Sequence, residues 1–212
     1  SFYGQENVET TLRLGRMNLI LHGLLGDIRL GNSLLNDLHP ELKANTVISN
    51  PPFNLRDWGA DKLDPNDPRL TLGYRKVQPT NGNANYMWML HFLYHLDEGG
   101  TAGFVMATGE LSNSETARLE VRKTLIEQDY VDCIVQLTGQ LFANTQIPCA
   151  LWFLSKNRNG RDGFRKRKGE ILFIDGRKLG VLIPGSRKQK QLSDEEIERM
   201  AAVYRTFKLD GK

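Results

Sequence analysis

Thr46-Val47-Ile48-Ser49-Asn50-Pro51-Pro52-Phe53 is a β-prone run closed abruptly by two prolines. Proline disfavours helical geometry in the residue before it, so Asn50 and Pro51 are both pushed to extended geometry just past a strand end. The carbonyl groups of that loop are thereby aimed and fixed. Upstream, Ile28-Arg29-Leu30 is a similar short run closed by Gly31-Asn32. Each reads as a buried strand that ends in a functional loop.

Working outward, residues 7–22 carry apolar side chains near helical spacing (Val8, Leu12, Leu19), with Gly23 where a C-terminal cap belongs. Downstream, residues 84–96 form an aromatic-rich helical pattern that Gly99-Gly100 breaks, and Ala102-Gly103-Phe104-Val105-Met106-Ala107 reads as a core strand. Helix then strand implies a parallel crossover. The pattern repeats with a helix over 114–128 and a strand over 131–137, and further strands follow at 151–154 and 170–174. The alternation predicts an α/β sheet with helices on both faces.

Two segments stand apart from this rhythm. Residues 54–83 are rich in Asp, Pro, Asn and Gly without sustained periodicity, which is long for a connection inside a domain and suits a lid or binding segment. After Asp175 the chain turns polar and basic, and Ser193-Asp194-Glu195-Glu196 is an N-cap followed by acids, opening a helix that reaches about Phe207. The expected organisation is a partial catalytic domain over 1–175, then a basic linker and C-terminal helix over 176–212, outside the sheet.

The 212 residues are 40% hydrophobic and 25% charged, in the range of one globular domain with a substantial core. No run approaches the ~18 apolar residues of a membrane span, and the start has no charged region followed by an apolar stretch, so a cytoplasmic protein without a membrane partner is expected. Cys133 and Cys149 lie in apolar surroundings and are too few for a disulfide framework or a four-cysteine zinc site, so both read as packing thiols and no metal site is expected. A net charge of +3 does not by itself announce a nucleic-acid binder. The basic residues are clustered, however: Lys156, Arg158, Arg161, Arg165, Lys166, Arg167 and Lys168 in one stretch, Arg187, Lys188 and Lys190 in another. A solvated loop and a phosphate contact both remain open for these clusters.

The chemistry centres on Asn50-Pro51-Pro52-Phe53. An exocyclic amine on an aromatic ring is a poor nucleophile because its lone pair is delocalised into the ring. It needs acceptors that draw on its two hydrogens as an electrophile arrives. The Asn50 side-chain oxygen and the Pro51 carbonyl suit that task, proline brings no competing N–H, and Phe53 offers a flat face on which an extruded base can stack.

These four residues resemble the catalytic motif of amino methyltransferases, and the rest of the chain is similar to the modification subunit of type I restriction-modification systems. The matching pieces run in order: Gly31-Asn32-Ser33-Leu34, Asn83-Ala84-Asn85-Tyr86, Gly99-Gly100-Thr101-Ala102-Gly103-Phe104-Val105, Gly139-Gln140-Leu141-Phe142, Asn144-Thr145-Gln146-Ile147-Pro148 and Phe173-Ile174-Asp175. The resemblance implies a Rossmann-like methyltransferase sheet and transfer from S-adenosylmethionine to adenine N6 of DNA. It also implies assembly with a specificity subunit that reads the target and a restriction subunit for cleavage. Glu6 falls where the family places an acid that accepts the cofactor's ribose hydroxyls, as in dinucleotide-binding folds, though an acid opening a helix is the plain alternative. Asn32 falls where relatives carry Asp or Asn facing the cofactor adenine, and a loop-turn role is the alternative there.

One family element is absent: no Asp-Pro-x-x-Gly-x-Gly loop, which holds the methionine part of the cofactor, occurs in these residues. The expectation is a fragment beginning downstream of that loop, its sheet incomplete at the N-terminus with an exposed edge and half a cofactor site, binding cofactor weakly or not at all. Three other readings stay open. A protein glutamine amide or an RNA amine could occupy the same pocket, or the chain could be a non-catalytic assembly fragment. Cytosine C5 chemistry would need a nucleophilic cysteine, but Cys149 opens an apolar strand with no activating pattern nearby.

Overall fold

The computed structural model describes residues 1–143 and 145–209. Strand β1 (Phe2–Glu6), helix α1 (Glu9–Leu21) and strand β2 (Gly26–Leu30) form a unit in which the two strands pair in parallel, Glu6 opposite Leu30. Helix α1 ends where the sequence predicts. Gly23 sits at φ 66, and the Gly23 and Leu24 amides donate to the Ile20 and Leu19 carbonyls at 2.9 Å each. This is the glycine-terminated cap in which a left-handed residue turns the chain back onto its last helical carbonyls.

The next elements are β3 (Ala44–Ser49), the two-residue strands β4 (Thr71–Leu72) and β5 (Arg75–Lys76), α2 (Asn85–Tyr94), β6 (Leu96–Ala107), α3 (Thr116–Glu127), β7 (Val131–Leu137), β8 (Cys149–Ser155) and β9 (Leu172–Gly176). A short hairpin, β10 (Val181–Leu182) with β11 (Lys190–Gln191), leads into α4 (Asp194–Leu209). The main sheet has the order β3-β6-β8-β7-β9. β3 runs parallel to β6 and β7 parallel to β9, and β8 is antiparallel to both of its neighbours. Helix α2 is the parallel crossover expected between β3 and β6.

Gly99 and Gly100 do not interrupt the structure as their sequence suggests: β6 runs straight through them. A Cβ at Gly100 would lie 2.9 Å from the Ala44 carbonyl oxygen, so glycine here lets two backbones approach where the β3–β6 register shifts, between the Ala44–Leu96 and Thr46–Thr101 pairs.

Both faces of the sheet are covered. On one, Met87, Leu90 and Leu93 of α2 and Val121 and Leu125 of α3 pack against Phe104, Met106, Ile134, Trp152 and Leu154. Removing a side chain such as Trp152, 1% exposed, would cost about 3–5 kcal/mol in lost burial and cavity formation. On the other face, Cys133, Val135, Leu137 and Cys149 form a second cluster against which Met200 and Tyr204 of α4 pack. The C-terminal helix, expected as a tail outside the sheet, is instead docked on its face. Among the described residues no helix is long and apolar enough to cross a membrane.

The β1–β2 pair is not hydrogen-bonded to β3, so β3 is an edge strand of the main sheet, with Ile48 84% exposed. The reading of Ile28–Leu30 and Thr46–Ser49 as buried strands does not hold, since Leu30 is 48% and Ile48 84% exposed. The loop between β2 and β3 ties the two units together. Gln5 Nε2 donates to the Asn36 carbonyl at 2.7 Å, His39 Nε2 lies 2.9 Å from the Gly4 carbonyl, and Tyr94 Oη donates to the Pro40 carbonyl at 2.9 Å.

Residues 54–83 are not the open lid that their composition suggests. Trp58, Leu63, Leu70, Leu72 and Val77 are all buried in the main core. The loop also closes on itself: Trp58 Nε1 donates to the Thr80 carbonyl at 2.8 Å, and the Gly59 and Ala60 amides donate to Asn81 Oδ1 at 3.0 and 3.1 Å. Isolated apolar residues spaced among turns carry no period, so a sequence pattern cannot see that they share one core.

Candidate active site

The loop that follows β3 carries Asn50, Pro51, Pro52 and Phe53. Asn50 and Pro52 are exposed, Pro51 is buried and Phe53 is half-buried. Among the described residues neither the Asn50 carboxamide nor the Pro51 carbonyl has a hydrogen-bond partner, so both acceptors are free for a ligand. The Phe53 ring meets Phe142 edge-on, with centroids 6.2 Å apart and planes at 80°. Phe142 thus fixes the tilt of the face that Phe53 presents, a role that its sequence context, a loop string resembling the family, does not reveal.

Phe142 is held by the turn after β7. The Gln140 amide donates to the Gln146 carbonyl at 3.3 Å, and a Cβ at Gly139 would fall 2.6 Å from that same oxygen. Only glycine lets these two backbone segments cross so closely. Asn144, within the fifth of the matching strings, lies outside the described residues.

Glu6 ends β1 and Asn32 follows β2, so the parallel pairing puts them side by side, and the Gly31 amide donates to the Glu6 carbonyl at 2.9 Å. Both are half-buried. Glu6 Oε1 accepts from the Val8 amide at 2.8 Å, and Asn32 Oδ1 accepts from the Leu34 amide at 2.9 Å. Each side chain therefore plays the local turn role, and each still has a polar atom without a protein partner among the described residues: Glu6 Oε2 as acceptor and Asn32 Nδ2 as donor. That donor set fits a ribose diol and a base edge. The Asn32 turn faces the loop after Phe53, because Leu35 is the side chain that a Cβ on Gly59 would meet, at 3.1 Å.

Asp37, His91 and His95 bring ligand-type atoms within 4.8 Å of one another. Each has a protein partner. Arg69, which can only donate, lies 3.1 Å from His91 Nδ1, so that nitrogen accepts. His95 Nε2 is 2.9 Å from Asp37, and its Nδ1 is 3.0 Å from the Leu42 carbonyl. Burial, with the neighbouring His95 and Arg69 charges, pushes His91 down to about 3. Burial raises the Asp37 carboxyl, yet hydrogen bonds from His95 and the His39 amide outweigh it and hold it near about 2.

The first basic cluster separates into four environments, in one of which Lys156, half-buried, donates to the Leu96 carbonyl at 2.6 Å. Arg158 and Arg167 are 3% and 0% exposed, and both pair with Asp132, itself 0% exposed. Arg165 pairs with Glu170 at 2.7 Å. Arg161, Lys166 and Lys168 are exposed. Two of the seven are thus structural, neither solvated nor open to phosphate. In the second cluster Lys190 donates to Thr138 Oγ1 at 3.3 Å, while Arg187 and Lys188 are exposed at the turn between β10 and β11. Cys149 is 1% exposed and burial raises its thiol, as it raises Cys133 to about 12, which removes both as nucleophiles.

The whole chain, residues 1–212, matches the family model described as N-6 DNA Methylase. It is 43% identical over 208 residues to the type I restriction enzyme MjaIX methylase subunit of Methanocaldococcus jannaschii, covering 98% of this chain and 36% of that protein. It is 37% identical over 209 residues to the HindI methylase subunit of Haemophilus influenzae, covering 98% and 43%. Among solved structures, the type I restriction-modification methyltransferase subunit of Streptococcus thermophilus superposes with a TM-score of 0.82 at 30% identity, over 96% of this chain and 41% of that one. The chain therefore spans well under half the length of these relatives, and its sheet is the methyltransferase sheet that the sequence predicts. By its full-length family match, this chain belongs to the N-6 DNA methylase family.

Proposed function

We propose that this chain is the catalytic part of a site-specific DNA methyltransferase that moves a methyl group from S-adenosylmethionine to adenine N6, within the modification subunit of a type I restriction-modification system. The observation that carries the reading is the pair of unengaged acceptors, Asn50 and the Pro51 carbonyl, beside a half-buried Phe53 braced by Phe142. A planar amine placed there has both hydrogens met and one face covered.

The target adenine leaves the duplex, stacks on Phe53 and gives its two N6 hydrogens to Asn50 Oδ1 and the Pro51 oxygen. Those bonds favour pyramidal geometry at N6 and free its lone pair from the ring. S-adenosylmethionine supplies an electrophilic methyl on a positive sulfur. With that group bound, the N6 lone pair would take the methyl, sulfur would keep the electrons of its bond to carbon, and one N6 proton would leave to water. Glu6 and Asn32, on the adjacent strand ends, would hold the ribose and adenine of the cofactor.

Residues 1–175 are the partial catalytic domain in this reading, and 176–212 are a basic linker and helix suited to contacts with other subunits. The partners are DNA, a specificity subunit that selects the site and a restriction subunit that cleaves, in the cytoplasm. The test is Asn50→Ala in the full-length subunit assembled with its specificity subunit. Transfer of labelled methyl to adenine N6 falls by about a hundredfold or more, the loss typical of removing one preorganised polar group. Undiminished methylation would refute the assignment, and label recovered in protein or RNA would redirect it to another amine.

A further inference from the structure

We infer that Asn85 is a positioning residue for the Asn50-Pro51-Pro52-Phe53 loop, acting through Asn54; this rests on the reading of that loop as the amine-binding edge. Asn54 follows Phe53 directly and sits at φ 56, a left-handed conformation that sets the direction in which the chain leaves the loop. Asn54 is exposed, yet its polar groups are captured from below. Its amide donates to Asn85 Oδ1 at 2.9 Å, and its Oδ1 accepts from Asn85 Nδ2 at 3.1 Å and from Asn83 Nδ2 at 2.9 Å.

The Asn85 carboxamide is 0% exposed, at the first turn of α2, where an apolar side chain would fill the core at less cost. What holds it is Glu110, 2% exposed, whose Oε1 accepts from Asn85 Nδ2 at 2.8 Å and pairs with Arg118 at 3.3 Å. A carboxylate oxygen can only accept, so Nδ2 must face Glu110 and Oδ1 must face the Asn54 amide. Flipping the amide would oppose oxygen to oxygen. Glu110 is itself anchored, its carbonyl taking Tyr86 Oη at 3.1 Å and Arg122 at 2.8 Å. Its Oε2 is buried with no partner, a cost consistent with an acid retained to orient an amide rather than to fill space. The chain Arg118–Glu110–Asn85–Asn54 thus carries a fixed orientation from α3 and the turn after β6 to the residue beside Phe53.

The experiment uses the full-length subunit with its specificity subunit, labelled S-adenosylmethionine and unmethylated plasmid DNA from a methylase-deficient host. With both substrates saturating, Asn85→Leu lowers the single-turnover rate by about a hundredfold, the loss expected of a small misplacement at the reacting centre. Cofactor and DNA dissociation constants stay within about threefold of wild type, a split that a merely structural role would not give. Asn54→Gly, which adopts a positive φ freely, keeps a rate at least about fivefold above that of Asn54→Ala. The inference is overturned if Asn85→Leu turns over like wild type, or loses affinity as much as rate. Should Asn85→Leu not fold, equal rates for Asn54→Gly and Asn54→Ala overturn it instead. A wild-type enzyme that methylates no adenine overturns the proposed function and this inference together, whereas an active wild type with an unchanged Asn85→Leu overturns the inference alone.

Discussion

Replacing Asp132 tests the energetics most directly, because one carboxylate with no exposure serves three partners. Arg167 donates to it through Nε at 3.0 Å and Nη2 at 3.3 Å, Arg158 pairs with it, and Tyr204 Oη donates to it at 2.7 Å. Asp132→Asn leaves two buried guanidinium groups facing a neutral amide. Breaking a buried pair from one side costs about 3–5 kcal/mol, since the stranded charge keeps its desolvation penalty. Here the loss falls at the lower end, because both arginines retain other acceptors. Arg167 donates to the Arg165 and Asn157 carbonyls at 3.0 and 2.8 Å, and Arg158 to the Arg167 carbonyl at 2.9 Å.

A loss of about 3 kcal/mol in a chain of this size lowers the melting midpoint by roughly 6–12 °C. Scanning calorimetry reads that directly. Tyr204→Phe removes only one hydrogen bond and shifts the midpoint by about 2–4 °C, equivalent to about 1 kcal/mol. Because Tyr204 joins α4 to the sheet, both variants also make the C-terminal helix more susceptible to proteolysis. If Asp132→Asn melts within about 2 °C of wild type, the network is not an obligate charge arrangement and the accounting above fails.

Acid stability provides a second prediction. His91 stays neutral in the folded state down to about 3, against an ordinary value of 6.5, so below 6.5 the unfolded chain takes up a proton that the folded chain refuses. Stability is therefore present above that range and lost as pH falls, by about 2 kcal/mol between neutrality and mild acid, and His91→Gln flattens the slope in urea titrations; an unaltered slope would place the acid sensitivity elsewhere. For the second basic cluster, Arg187→Gln with Lys188→Gln lowers the dependence of DNA affinity on salt by about one to two in log–log slope while the melting midpoint holds, if these exposed side chains meet phosphates. An unchanged slope would make that hairpin a solvated turn.

What could be read from sequence divides along a physical line. The strands and helices of the main sheet were legible because each carries a local signal: Val131–Leu137 is mostly apolar and β-branched, and α2 is apolar nearly all round because it is buried nearly all round. The loop chemistry of Asn50 to Phe53 was legible because proline acts on its immediate neighbours. β1 was not, since Phe-Tyr-Gly-Gln-Glu has no alternation and becomes a strand only through β2. The partition of the basic cluster was hidden for a related reason: what distinguishes Arg167 from Lys168 is Asp132, thirty-five positions earlier, and no property of the cluster itself points there.

The same line runs through the candidate site. Groups that would touch a substrate sit on strand ends and announce themselves by local chemistry, whereas groups that would hold them come from elsewhere in the chain. Asn85 reaches the loop across 31 residues, Glu110 reaches Asn85 across another 25, and Phe142 comes from beyond β7. Each is an ordinary residue in its own segment: a helix start, a short turn, a loop aromatic. Their orienting capacity follows only from burial, because an amide or a carboxylate in water has many partners, while at 0% and 2% exposure it has the few that the fold supplies. A carboxamide buried at that depth beside an ionisable acid is costly unless every bond it makes is directed, and the directed bond here ends on the residue next to Phe53.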